Sequence, residues 1–144
     1  MRTETLGKVL VTARIENLQD LWELENGQRT DDKVRRVELT DALVDTGAST
    51  LLLPKRLIAQ LGLKSYRTRT SRGLGGPLSI PMFGTVLLTI QGRDCRLDVG
   101  EIEDEIPVLV GQIPLEMLDW VVDAKGQRLI GNPEHGGEWM MDAF

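Results

Sequence analysis

Cysteine and histidine are almost missing from this chain. Cys95 is its only cysteine and His135 its only histidine. A single thiol cannot close an internal disulfide or build a cysteine-based metal site. A single histidine leaves a Cys–His dyad or a serine triad no candidate except His135, which lies in a Gly/Pro-rich tail and reads as a surface residue. Cys95 reads as buried and inert. No metal or organic cofactor is implied. Long apolar runs are also missing. No stretch approaches the roughly 20 apolar residues of a membrane span, and Met1-Arg2-Thr3-Glu4 leads into alternating sequence, not an apolar signal core. Nor is there an excess of positive charge. Lys and Arg number 17 against 22 Asp and Glu, for a net charge of −5, which argues against a nucleic-acid partner. The expectation is a soluble, cytoplasmic protein with no membrane partner.

What is present fits one globular domain over residues 1–144. The chain is 41% hydrophobic and 27% charged, long enough to bury a core without staples. Lys8 to Ile15 alternates, with Val9, Val11, Ala13 and Ile15 on one face, and reads as a strand. Residues 16–33 are polar and read as a long loop with Leu21, Trp22 and Leu24 as anchors. Val34 to Val44 reads as a strand, and Leu51-Leu52-Leu53 is a short apolar run. Pro54 fits the first position of a short helix over Lys55 to Leu61, ended by Gly62. Arg67 to Arg72 and Leu78 to Gln91 read as two arms of a hairpin that turns at Gly73-Leu74-Gly75-Gly76-Pro77. Short strands follow at Cys95 to Val99 and Ile106 to Val110, around an acidic loop from Glu101 to Glu105. Pro114 fits the start of a helix through Asp119, and Trp120 to Ile130 a hairpin turning near Lys125-Gly126. Many short strands separated by turn signals indicate an all-β barrel or sandwich. The tail over residues 131–144 ends with Trp139, Met140, Met141 and Phe144, an apolar group that needs burial somewhere.

One tripeptide carries chemistry. Asp45-Thr46-Gly47 follows apolar Leu43-Val44 and precedes Ala48-Ser49-Thr50. The arrangement puts a carboxylate at the end of a strand, on a tight loop that glycine permits. The triplet occurs once. Asp98-Val99-Gly100 is the nearest second copy, and it lacks the hydroxyl residue.

With the Gly-rich turn at Gly73 to Gly76 and the later Val108-Leu109-Val110-Gly111, the chain resembles the retropepsin-like aspartic proteases, single-domain relatives of the pepsin-type enzymes. The resemblance runs from about Val9 to about Ile130, leaving residues 16–33 and the tail after Gly131 unmatched. It implies a closed β-barrel or sandwich with one or two short helices, and peptide hydrolysis by water activated between two carboxylates. Asp45, Thr46 and Gly47 are then the catalytic triplet, with Thr46 bracing two catalytic loops against each other. Ala48, Ser49, Gly73, Leu74, Gly75 and Val108 are the expected substrate contacts, Leu74 and Gly75 as flap tip, and Glu105 to Val108 as pocket lining. With one Asp45 per chain, the implied partner is a second copy, so that the pair shares a site on a two-fold axis, and the substrate is a peptide or protein.

The sequence also departs from the family's viral members. They carry an Asp and an Arg where this chain has Ser49 and Gln112, and those two pair. Both halves of the ion pair are absent together, which leaves no unpartnered charge, and Ser49-Thr50 is closer to the non-viral type. Ala48 has no hydroxyl to donate to the catalytic carboxylates. Plainer readings of the same residues exist. Asp45 also fits a turn cap in an inactive β-domain, Gly73 to Gly76 an ordinary hairpin turn, and the whole chain a catalytically silent peptide-binding or dimerisation module of the same fold.

Overall fold

The computed structural model describes residues 8–73 and 76–140, with residues 66–78 described by their backbone. Strand β1 (Leu10–Asn17) begins the barrel. It is followed by α1 (Leu18–Glu25) and a 3-10 turn at Asp31–Lys33. Next come β2 (Arg36–Val44), β3 (Leu51–Pro54), α2 (Lys55–Leu61), β4 (Lys64–Gly73), β5 (Gly76–Ile90), β6 (Arg93–Ile102) and β7 (Leu109–Val110). Helix α3 (Gln112–Leu118), the hairpin of β8 (Trp120–Asp123) and β9 (Arg128–Gly131), and a 3-10 turn at Pro133–His135 complete the described chain. Among the described residues no helix is long and apolar enough to cross a membrane.

The large sheet runs in the order β1-β2-β7-β3-β6-β5-β4, and β1 also pairs with β5. That extra pairing closes six strands into a ring, so the fold is the expected all-β barrel. β4 hangs outside the ring on the first half of β5, in register from Lys64↔Gly84 to Gly73↔Gly76. The hairpin arm read from the sequence is therefore present. Its tip at Leu74 and Gly75, and the exposure of the arginines along it, lie outside the described residues.

Alternation builds the core. Val9, Val11, Ala13 and Ile15 all point inward, as do Val86, Leu88 and Ile90 on β5, the last three with no exposed surface. They meet Leu51 and Leu53 of β3, Val99 of β6, and Leu115 and Leu118 of α3 in one cluster. Cys95 is part of that cluster, and burial pushes its thiol up to about 12.

Three expectations need correction. Residues 16–33 are not a loop, because β1 continues to Asn17 and α1 follows at once. Asn17 caps α1, its side-chain oxygen accepting from the N–H of Asp20 (3.1 Å), while its Nδ2 donates to the carbonyl of Leu61 (2.8 Å). The polar stretch folds because its charges are paired. Asp20 is fully buried and takes two hydrogen bonds from the Arg35 guanidinium and one from the Arg35 N–H, at 2.9–3.0 Å. Arg29 reaches both Asp20 and Glu23. Trp22 is not an anchor: it is 47% exposed. Among the described residues three short α-helices, α1 to α3, accompany the barrel. Pro54 closes β3 and stands just before α2, which ends at Gly62 in the left-handed conformation (φ 64°).

The third correction concerns the tail. His135 is a half-buried anchor rather than a free surface group, with Nδ1 2.6 Å from Asp119 Oδ2. Asp119 ends α3 in the left-handed region (φ 58°). Its carboxylate also accepts from Asn132 Nδ2 and from the N–H of Met140. Arg93 donates to the carbonyls of Leu118, Asp119 and Gly137, stacking 3.9 Å from the Trp120 ring centre. Trp139 packs against the core cluster, and its indole N–H donates to the carbonyl of Met117 (3.2 Å). Part of the apolar tail is thus buried on its own barrel; Met141 and Phe144 lie outside the described residues.

Among the described residues four carboxyls sit below their ordinary range: Asp20 chiefly through its hydrogen bonds from Arg35, Glu23 chiefly through its hydrogen bond from Gln19, Asp119 chiefly through its hydrogen bond with His135, and Asp123 chiefly through the N–H of Gly126. A depressed carboxyl contributes stability above its unfolded-state value and loses it as pH falls through the folded-state value. Stability should therefore drop on acidification below about pH 4. Asp20→Asn should flatten that acid limb and, at neutral pH, cost about 2 kcal/mol in urea unfolding. An unchanged acid limb in the variant would contradict the assignment.

Candidate active site

Short β7 is inserted between β2 and β3, parallel to β2 and antiparallel to β3. The chain that leaves β2 at Val44 must therefore pass over the end of β7 before it enters β3. That crossing segment is residues 45–50, and it carries the Asp-Thr-Gly triplet. β7 holds its start: the N–H of Leu43 donates to the carbonyl of Val108 (2.8 Å) and that of Asp45 to Val110 (2.9 Å). The start of α3 holds its far side, where Gly111, Gln112 and Ile113 donate to the carbonyls of Thr50, Ala48 and Ser49 at 2.8–3.0 Å. Thr50 is buried and its hydroxyl reaches the carbonyl of Asp98 (3.4 Å).

The loop closes on its own carboxylate as well. Asp45 Oδ1 accepts from the N–H of Gly47 (2.9 Å), and the Asp45 carbonyl accepts from Ala48 (3.0 Å). One carboxylate oxygen is thereby fixed in direction. Asp45 is half-buried, Thr46, Gly47 and Ser49 are exposed, and Ala48 is half-buried. Among the described residues the Thr46 side chain makes no hydrogen bond. The Gln112 and Ser49 positions, where the viral ion pair is absent, are joined to this crossing through backbone hydrogen bonds instead of side-chain charge.

The remaining expected contacts are scattered. Gly73 ends β4 opposite Gly76, while Leu74 and Gly75 lie outside the described residues. Val108 is 4% exposed and belongs to the core cluster. Glu105 is exposed in the loop before β7.

The sequence reading named Gly111 as the end of the Val108-Leu109-Val110 unit, but two features of this geometry escaped it. The close approach at Gly111 is one. A Cβ there would lie 2.4 Å from the Thr50 carbonyl oxygen and 2.6 Å from that of Ala48, so only glycine lets α3 approach the loop. The signal was its place after Leu109-Val110. A half-exposed apolar wall is another. Leu52 and Leu109 are register partners on β3 and β7. Leu52 and Ile80 both crowd over Gly100, where a Cβ would meet them at 2.6 and 2.9 Å. Sequence spacing carries no trace of that meeting, since the three residues come from three strands.

Because the clashing atoms at Gly111 are backbone, they cannot swing aside. Gly111→Ala should lower stability by about 1–3 kcal/mol, read as a loss in the urea midpoint, with extra amide exchange over residues 45–50. A fully wild-type midpoint would show that the loop does not depend on this approach.

The aspartyl protease family model matches residues 31–113, more than half of the chain. No curated protein matches it. The matched span begins ahead of β2 and ends at the second residue of α3, so it contains the Asp45 crossing, the β4–β5 hairpin and β7. The chain belongs to the aspartyl protease family, of the retropepsin-like type.

Proposed function

We propose that the protein is an aspartic endopeptidase, active as a homodimer that brings two Asp45 carboxylates together. The observation that carries this reading is the Asp45 crossing itself. A half-exposed carboxylate is fixed by the Gly47 N–H on a loop that β7 and α3 hold from both sides. A turn cap in an inactive domain has no need of so many constraints.

Hydrolysis without a covalent nucleophile needs a base to activate water and an acid to protonate the carbonyl oxygen. Two carboxylates about 3 Å apart cannot both ionise; they share one proton and supply both roles, as is known of aspartic-protease dyads. Such a dyad titrates as a pair. A chain with a single Asp-Thr-Gly supplies one member, and a two-fold axis beside Asp45 supplies the other. Exposed Thr46 is then free to donate to the partner's loop, and Gly47 leaves room for substrate backbone.

In this reading Ala48 and Ser49 contact the substrate, and Gly73, Leu74 and Gly75 close over it as a lid that excludes water. Val108 backs the pocket wall that Leu52, Leu109 and Ile80 present, which favours apolar side chains beside the cleaved bond. All 144 residues serve one protease domain. A cytoplasmic setting suits a lone, buried thiol.

Incubating the wild type and Asp45→Asn with a complex peptide mixture, and mapping new termini by mass spectrometry, tests the assignment. New termini should appear with the wild type alone, and identical maps would reject it in favour of a silent binding module. The pH profile tests Ala48. With no hydroxyl beside the dyad, ionisation is less favoured, so the optimum should lie above about pH 3; a peak below that value would contradict the role given to Ala48.

A further inference from the structure

Exposed apolar surface on this chain is concentrated in one place. Seven large apolar side chains are exposed among the described residues, and four of them are Ile113 (41%), Met117 (39%), Val121 (37%) and Met140 (58%). Met117, Val121 and Met140 line one open groove of about 1170 Å³, and Thr46 lines the same groove. Ile113 stands one turn before Met117 on α3. Trp22 belongs to a separate groove of about 490 Å³ beside Gly62 and Lys64. An apolar face therefore runs from the catalytic triplet across α3 to the tail.

That face is pre-formed. The Met140 N–H is bonded to Asp119 Oδ2 (3.1 Å), His135 Nδ1 grips the same oxygen, and Arg93 Nη2 holds the carbonyl of Gly137 (2.8 Å). The Trp139 indole is tied to the Met117 carbonyl. A partner that presses on Met117 and Met140 meets a surface whose ordering cost is already met by the barrel's own hydrogen bonds.

We propose that a second copy of this chain docks on the face formed by α3, the start of β8 and the strapped tail. The inference rests on the shared-dyad reading, which requires the two-fold axis to pass beside Asp45 and Thr46. The apolar surface that extends outward from Thr46 is then what the copy covers. The same groove is lined by Arg96 together with Asp94 and Glu116, both signs of charge, as a surface meeting its own copy needs in order to pair them. Met117, Val121 and Met140 lie beyond residue 113, outside the span that matches the family, whereas Thr46, Asp94, Arg96 and Ile113 lie within it. The docking surface therefore joins the crossing loop to the C-terminal part of the chain, and it replaces the loop-to-helix ion pair that Ser49 and Gln112 cannot make.

Two measurements test it. In sedimentation equilibrium the wild type should run at twice the chain mass. The double variant Ile113→Glu, Met117→Glu should dissociate at least about a hundredfold more readily, while Trp22→Glu should associate as the wild type does. In parallel, hydrogen exchange on the unmodified chain across a dilution series should show residues 112–122 and 138–140 losing protection as the dimer dissociates. The proposal is overturned if the folded double variant associates normally. It is also overturned if those amides ignore concentration, and this second readout decides where the variant fails to fold. Should the wild type dimerise while protecting another face, the docking assignment falls and the shared dyad stands. A strictly monomeric wild type that cleaves peptides would remove both.

Discussion

The two-residue strand β7 is the constraint on which the site depends. It lies between β2 and β3, so the chain joining those strands has to cross its end. The crossing is held by backbone hydrogen bonds on both sides, from β7 at Leu43 and Asp45 and from the start of α3 at Ala48, Ser49 and Thr50. Backbone bonds of this kind do not depend on pH or on side-chain rotamers, so they suit a loop that must present a titrating carboxylate in one orientation. Gly111 is the point at which the two backbones come closest.

Charge is used elsewhere, and mainly at the periphery. The network of Asp20, Arg29 and Arg35 pins α1 against the barrel, and Asp119 with Arg93 and His135 pins the tail. Each network ties a segment outside the matched family span to an arginine inside it, Arg35 for α1 and Arg93 for the tail. The strands from β2 to β7 and the crossing loop thus form the part that matches the family, while paired charges fasten α1 and the tail to it. The tail network has a further consequence, because it shapes the surface next to Thr46 on which a second copy is proposed to sit.

The strands were legible in the sequence where one face is buried and the other is not. Val9 to Ile15 and Val86 to Ile90 alternate cleanly, and the structure buries the expected residues. Gly62 and Pro54 marked the ends of α2 to within a residue. Helix α1 was missed because its apolar stripe is thin and its most buried member is a charged residue, Asp20, whose burial is stable only through Arg35, fifteen positions away. The cap at Asn17 with Asp20 three residues later was the available signal. His135 was misjudged for a similar reason, since its partner Asp119 lies across a hairpin. The Asp45 crossing was legible as a motif, but the way it is held was not. Gly111, and the meeting of Leu52 with Ile80 over Gly100, depend on strand neighbours that only the topology reveals.

The central claim is that one active site takes a carboxylate from each of two chains. Mixing chains tests it most directly. Wild type is allowed to exchange with Asp45→Asn at about nine variant chains to one wild-type chain, and cleavage is measured per wild-type chain. If mixed dimers hold half a dyad, cleavage per wild-type chain should fall about tenfold, because total cleavage follows the square of the wild-type fraction. Cleavage that stays proportional to the amount of wild-type chain would mean that a single Asp45 suffices, and would contradict the account.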